Sequence, residues 1–99
     1  MKVQTKGRGT NTYNAIGFLD ETGLKVVKGS KIALKSASNL SEKMKKLREK
    51  YLKMSPDGIL IEDVAFKSAS SAAGFVTGNI SNGLRVWKSE EGKALADLK

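Results

Sequence analysis

Hydrophobic positions recur along this chain in two rhythms. Leu40, Met44, Leu47, Tyr51 and Met54 step by four, three, four and three, which draws a single apolar stripe and predicts a helix over residues 40–54. Asn39 with Glu42 three residues on has the form of a capping box. Pro56, in "SPDG", pushes Ser55 out of helical geometry and ends the helix. The rest of that helix surface is Lys43, Lys45, Lys46, Arg48, Lys50 and Lys53.

Period-two patterning marks the strands. "TYNAIGFLD" alternates loosely, with Tyr13, Ala15 and Phe18 assigned to a buried side. "LKVVKGSKIAL" follows, apolar at Leu24, Val26 and Val27, and "DETG" between the two supplies a turn with Gly23 free to take positive φ. The pair predicts a hairpin over residues 12–19 and 24–29, with Ile32 to Leu34 a candidate extension after a break at Gly29-Ser30. "ILIEDVAF" reads as one strand or two short ones. "SASSAAGFVTG" predicts a short second helix, capped by Ser68 or Ser70 and ended by Gly78. Its small residues Ala69, Ala72, Ala73 and Val76 allow a close neighbour. "NISNG" is a turn, and "LRVWK" a closing strand with Leu84, Val86 and Trp87 inward. Leu95 and Leu98 give the tail a weak helical spacing. "MKVQTKGRGTN" reads as aperiodic, a flexible basic arm over residues 1–11. Residues 12–99 then form one α+β domain: a small antiparallel or mixed sheet with an N-terminal hairpin, a long basic amphipathic helix and a short small-residue helix.

Composition narrows the chemistry. The 99 residues include no cysteine and no histidine, which excludes disulfides, thiolate chemistry, and the commonest metal ligand and general base. The thiol-free composition suits a reducing cytoplasm. No apolar run is long enough for a membrane span and no signal-peptide pattern opens the chain. "GLKVVKGS" holds the letters of a phosphate loop, but its Lys28-Gly29 order scrambles them. Asp20-Glu21, Glu62-Asp63 and Glu90-Glu91 are adjacent acids; neighbours on a strand point to opposite faces and do not converge on one metal. No enzyme activity, metal or cofactor is expected.

Charge changes the picture most. Lys and Arg number 18 against 10 acids, a net charge of +8. The excess is concentrated early: residues 1–35 hold seven bases and two acids, and residues 36–54 six and two. Such a field favours polyanions, nucleic acid before acidic lipid; the plain alternative is a lysine-rich solvated surface. Three stretches offer contacts. The helix contributes Lys43, Lys46 and Lys50, or is merely solvated. "VKGSKI" sets Ser30 and backbone N–H groups between Lys28 and Lys31, or is a bulge. Ser68, Ser70 and Ser71 open the second helix, where self-capping competes with anion binding. Beyond it lie Asn79, Ser81 and Asn82, followed by Arg85 and Lys88; Asn pairs bidentately with adenine, which makes that turn a candidate for base contact. Trp87, the lone tryptophan, is read mainly as a core anchor.

"KVVKGSKIAL" and "SASSAAGFVTGNISNGLRVWKSEEGKAL", in this order, resemble a small uncharacterised prokaryotic domain found C-terminal to GIY-YIG nucleases and in restriction-modification proteins. The second segment is also similar to the restriction-enzyme and adenine-methylase associated (RAMA) domain. By position, Gly29 and Ser30 take the family's Lys-Gly-Ser place, and Ser68, Ser70 and Ser71 its serine-rich helix start. Ala72 and Ala73 match its small packing residues, Gly78, Ser81, Asn82 and Gly83 its turn, and Trp87 and Lys88 its strand end. Ala69 stands where the family often has proline. Leu84 replaces a common first aromatic, which removes one ring from any aromatic cage. The resemblance implies a non-catalytic accessory module that binds double-stranded DNA, modified DNA included, beside a nuclease or methyltransferase domain, with no membrane role. The GIY-YIG motifs themselves are absent, so a nuclease would be a separate domain. The competing expectation is a scaffolding module that docks on a partner enzyme.

Overall fold

The structure, a computed structural model, describes residues 1–7 and 12–97. Its centre is a five-stranded antiparallel sheet in the order β4-β3-β2-β1-β5. The strands are β1 (Lys2–Lys6), β2 (Asn14–Asp20), β3 (Gly23–Val26), β4 (Val64–Phe66) and β5 (Lys88–Ser89). Three helices, α1 (Glu42–Met54), α2 (Ala69–Thr77) and α3 (Gly83–Val86), complete this α+β fold, with a 3-10 turn at Leu95–Asp97.

The basic-arm reading fails for the first strand. β1 pairs with β2 from Lys2↔Phe18 to Lys6↔Asn14, and its Val3 and Thr5 are buried between exposed Lys2, Gln4 and Lys6. "KVQTK" is a strict alternation in which a threonine takes an inward place, so the domain body begins at β1 rather than at residue 12. Residues 8–11 of the expected arm lie outside the described residues.

The hairpin of β2 and β3 forms near its expected bounds, and Gly23 takes φ +141 at the turn. A Cβ there would sit 1.9 Å from the Phe66 carbonyl oxygen. Thr22 donates to Asp20 from both its hydroxyl and its N–H, which holds that carboxyl below the usual aspartate range. The extension over Ile32 to Leu34 does not form as a strand; only Lys31 makes isolated bridges, to Asn14 and Ile59. Phe18, expected inward, points away from the core, because a two-residue period carries Ala15 and Gly17 inward and leaves Phe18 out. "ILIEDVAF" resolves into the Ile59 bridge and β4.

Helix α1 begins later than expected. Ser41, not Asn39, is the N-cap and accepts from the Met44 N–H at 3.2 Å. Its apolar stripe faces inward through Met44, Leu47 and Tyr51, whose ring meets Phe75 of α2 edge-on at 5.6 Å. Arg48, assigned to the solvated surface, is instead 0% exposed. Its guanidinium donates to the carbonyls of Phe75, Ala33 and Lys35, and its Nε donates to Ser36 Oγ at 2.8 Å. Burial pushes its pKa down to about 10, still well above neutrality.

Helix α2 matches its sequence signals: Ser68 caps it by accepting from Ser71 N–H, and Gly78 ends it in left-handed geometry at φ +75. Residues 72–77 are all buried, and α2 lies on the inner face of the sheet, with Phe75 against Phe66 at 5.1 Å. The closing "LRVWK" strand is a correction. Leu84 to Val86 form one helical turn, α3, capped by Asn82, and only Lys88 and Ser89 are strand. Gly83 lies so near α2 that a Cβ would meet the Ala69 backbone at 2.2 Å. Trp87 is 0% exposed, and its indole N–H donates to the Ala69 carbonyl at 3.1 Å, so the core assignment holds. Leu84, expected inward, is 50% exposed.

Candidate nucleic-acid interface

Because the helices cover one face of the sheet, strand alternation turns a second set of side chains to the other face. Register places Lys2, Phe18, Lys25 and Ala65 in one row across β1, β2, β3 and β4. A second row runs Lys88, Gln4, Ile16 across β5, β1 and β2. Phe18 is 45% exposed, with a lysine directly opposite on each side. The strands carry one carboxylate, Asp20, which Thr22 engages. Lys25 also meets Asp63 at 3.9 Å, a half-exposed pair that restrains it weakly.

At one margin this face runs into a cleft of about 390 Å³. β5 pairs only with Val3 and Gln4, so among the described residues no strand covers the outer side of Thr5 and Lys6. The single turn of α3 sets Arg85 and Val86 on the wall of this cleft. Lys6, Arg85 and Lys88 thus line one cleft together with Gln4, Asn14 and Tyr13, and no carboxylate is among the described lining residues. Tyr13 lies over Gly7, where a Cβ would fall 2.2 Å from its ring; Gly7 N–H also donates to the Tyr13 carbonyl at 2.9 Å. Three cations in one concave site raise the local potential and concentrate anions.

The expected contact residues divide into three groups. Arg85 and Lys88 enter the cleft. Lys43, Lys46 and Lys50 stand exposed on α1, in the helical layer on the other side of the core, and Lys50 Nζ lies 5.4 Å from the Tyr51 ring centroid. The polar residues of the third group serve the fold. Ser30 is buried, accepting from the Ile16 N–H and donating to the Ile16 carbonyl. The N–H groups of Gly29 and Ser30 are donated to Leu60 and Val27, which leaves "VKGSKI" without the backbone donors a phosphate would use. Lys28 is exposed and only its backbone N–H is engaged, donating to Asp63, whereas Lys31 Nζ donates to the Thr12 carbonyl and hydroxyl. Ser70 Oγ accepts from Gly83 N–H, and Asn82 Oδ1 from Leu84 N–H. Asn79 and Ser81 bond within the turn, to Thr77 and to each other.

Sequence reasoning missed Lys2, Lys6, Tyr13 and Phe18. The signal that finds three of them is the alternation of "KVQTK", which puts Lys2 and Lys6 outward and, through the hairpin register, Phe18 beside Lys2. Outside this surface, Ile80 is 68% exposed and Leu84 is half-exposed, both in the segment that follows α2 in the chain. Among the described residues no group of three metal-ligating side chains comes together, and no helix is long and apolar enough to cross a membrane.

The profile of a family described as "Domain of unknown function (DUF4357)" matches residues 5–99. No curated protein and no solved structure matches the chain.

Proposed function

The chain belongs to the DUF4357 family, and we propose that it acts as a non-catalytic DNA-binding accessory domain, serving a nuclease or restriction-modification enzyme. The observation that carries this reading is the convergence of Lys6, Arg85 and Lys88 on one cleft that no carboxylate lines among the described residues. Lys2 and Lys25 extend the positive surface across the open sheet face. Ammonium and guanidinium groups hold phosphate oxygens without reading sequence, and their counter-ion release makes affinity fall steeply with salt. The link to GIY-YIG nucleases rests on the resemblance of "KVVKGSKIAL" and "SASSAAGFVTGNISNGLRVWKSEEGKAL" in this order, and that to RAMA-type proteins on the second segment. Reading of modified bases rests on that resemblance alone.

A second reading, docking on a partner enzyme, draws on the exposed Ile80 and Leu84 in the segment after the small-residue helix α2. The two readings use different surfaces, so one experiment separates them. Binding to duplex and single-stranded DNA of equal length is titrated against salt for the parent chain and two triple variants. Lys6→Gln with Arg85→Gln and Lys88→Gln should lower the salt slope by about two to three and weaken binding at low salt. The helix triple, Lys43→Gln with Lys46→Gln and Lys50→Gln, should change it less. Absence of binding at low salt overturns the DNA reading and leaves the docking one.

A further inference from the structure

We propose that the cleft beside β1 holds one unpaired nucleotide, its base against Tyr13 and its phosphate among Lys6, Arg85 and Lys88, while the strand continues over Phe18 on the open sheet. This rests on the DNA reading above and narrows its substrate to a single strand.

Size is the first argument. A cleft of about 390 Å³ lies at the lower end of small-ligand sites, on the scale of one nucleotide. A duplex presents its phosphates along a convex rod, and proteins read it by inserting a helix or ribbon into a groove. Here the cations line a hollow, and the nearest helix, α3, is a single turn of 4 residues. A concave site fits a strand whose bases are splayed out, because phosphate and base then reach protein together.

Chemistry is the second. Single strands are held by cations that follow the backbone and by aromatic rings on which bases stack. Phe18 meets that description: it is 45% exposed at the middle of an antiparallel sheet, with Lys2 and Lys25 as cross-strand neighbours. Folding gains little from an aromatic ring left in water, whereas a stacked base would cover it. Phe18, Ile16 and Asn14 share this face of β2, and Asn14 also lines the cleft. Four residues of strand span about 13 Å, so a short extended strand can reach from the ring into the cleft. Gly7 serves the same site, since any larger residue would displace the Tyr13 ring.

The test uses the full chain and three labelled probes at low salt: an oligothymidylate of about twelve nucleotides, a duplex of the same length and a polyglutamate of similar charge. The single strand should bind at least about 10-fold more tightly than either of the others. Phe18→Ser, at an exposed position, should weaken single-strand binding by about 5- to 50-fold and leave duplex binding unchanged, as stacking on a lost ring predicts. Tyr13→Leu should do the same; if its thermal melt shows loss of folding, Phe18→Ser alone decides. Equal or tighter duplex binding, with both variants silent, overturns the single-strand inference and leaves the DNA reading standing. Polyglutamate binding as tightly as the single strand overturns it in favour of a general anion surface. No binding of any probe overturns both readings.

Discussion

Arg48 is the residue whose role depends most on its surroundings. On α1 it sits among lysines that stay in water, yet its planar fork reaches three carbonyls and a hydroxyl on two other segments of chain. Those carbonyls belong to Ala33 and Lys35 in the long connection before α1 and to Phe75 in α2, so one guanidinium joins three parts of the fold. A lysine offers a point charge with no fork and could not satisfy them together. Arg48→Met keeps the aliphatic stem and leaves buried carbonyls without a donor. It should cost about 3–5 kcal/mol in urea unfolding, since each unsatisfied buried acceptor costs roughly 1–3 kcal/mol. A loss below about 1 kcal/mol would show that these bonds contribute little net stability. Arg48 also counts toward the net charge of +8 while being unavailable to any external anion.

Among the elements, β1 shows how a local pattern can be misread. Its five residues are too few for a strong period, and two lysines among them suggested an arm. Pairing decides otherwise: β1 lies between β2 and β5 and supplies Val3 to the core. Val3→Asp therefore places a carboxylate on the inner face and should destabilise the domain by about 3 kcal/mol or more. Lys2→Asp, one residue away on the open face, should stay within about 0.5 kcal/mol. Thermal or urea melts of the two variants check this, and equal small effects would restore the arm reading. α3 fails for the opposite reason. Leu84 and Val86 fit a strand and a single helical turn equally well, and the choice is made by the contact of Gly83 with the Ala69-Ser70 backbone. By contrast, α2 was legible almost residue for residue, because its Ser68 cap, small-residue interior and Gly78 stop all act locally.

At the scale of the whole molecule, the bases do not form one face. Lys43, Lys46 and Lys50 lie on the helical layer, whereas Lys2, Lys6, Lys25, Arg85 and Lys88 belong to the sheet side and its margin. Lys43 lines a separate hollow with Lys67, whereas the second group brings three cations to one cleft and two lysines beside the exposed Phe18 ring, which is why the proposed interface is placed there. The chain has no histidine, the side chain that ordinarily changes charge near neutrality. DNA affinity should therefore be nearly flat between about pH 5.5 and pH 7, while falling steeply with salt. Binding isotherms at fixed ionic strength across that range check it; a change beyond about 3-fold would mean that a titrating group on this chain takes part.

The sequence by itself determined the α+β class, the β2–β3 hairpin, the spans of α1 and α2 to within a few residues, and the burial of Trp87. Each follows from interactions within a few positions: a period, a cap, a turn glycine, or a large apolar ring beside other apolar residues. Only the tertiary structure decided that β1 is a strand of the sheet, that Arg48 is internal, that Ser30, Ser70 and Asn82 serve the fold, and that Lys6 meets Arg85 and Lys88. These depend on strand pairing and helix docking between segments far apart in the chain. A local pattern shows which side chains could bind an anion, whereas only the packed sheet decides which of them share a cleft.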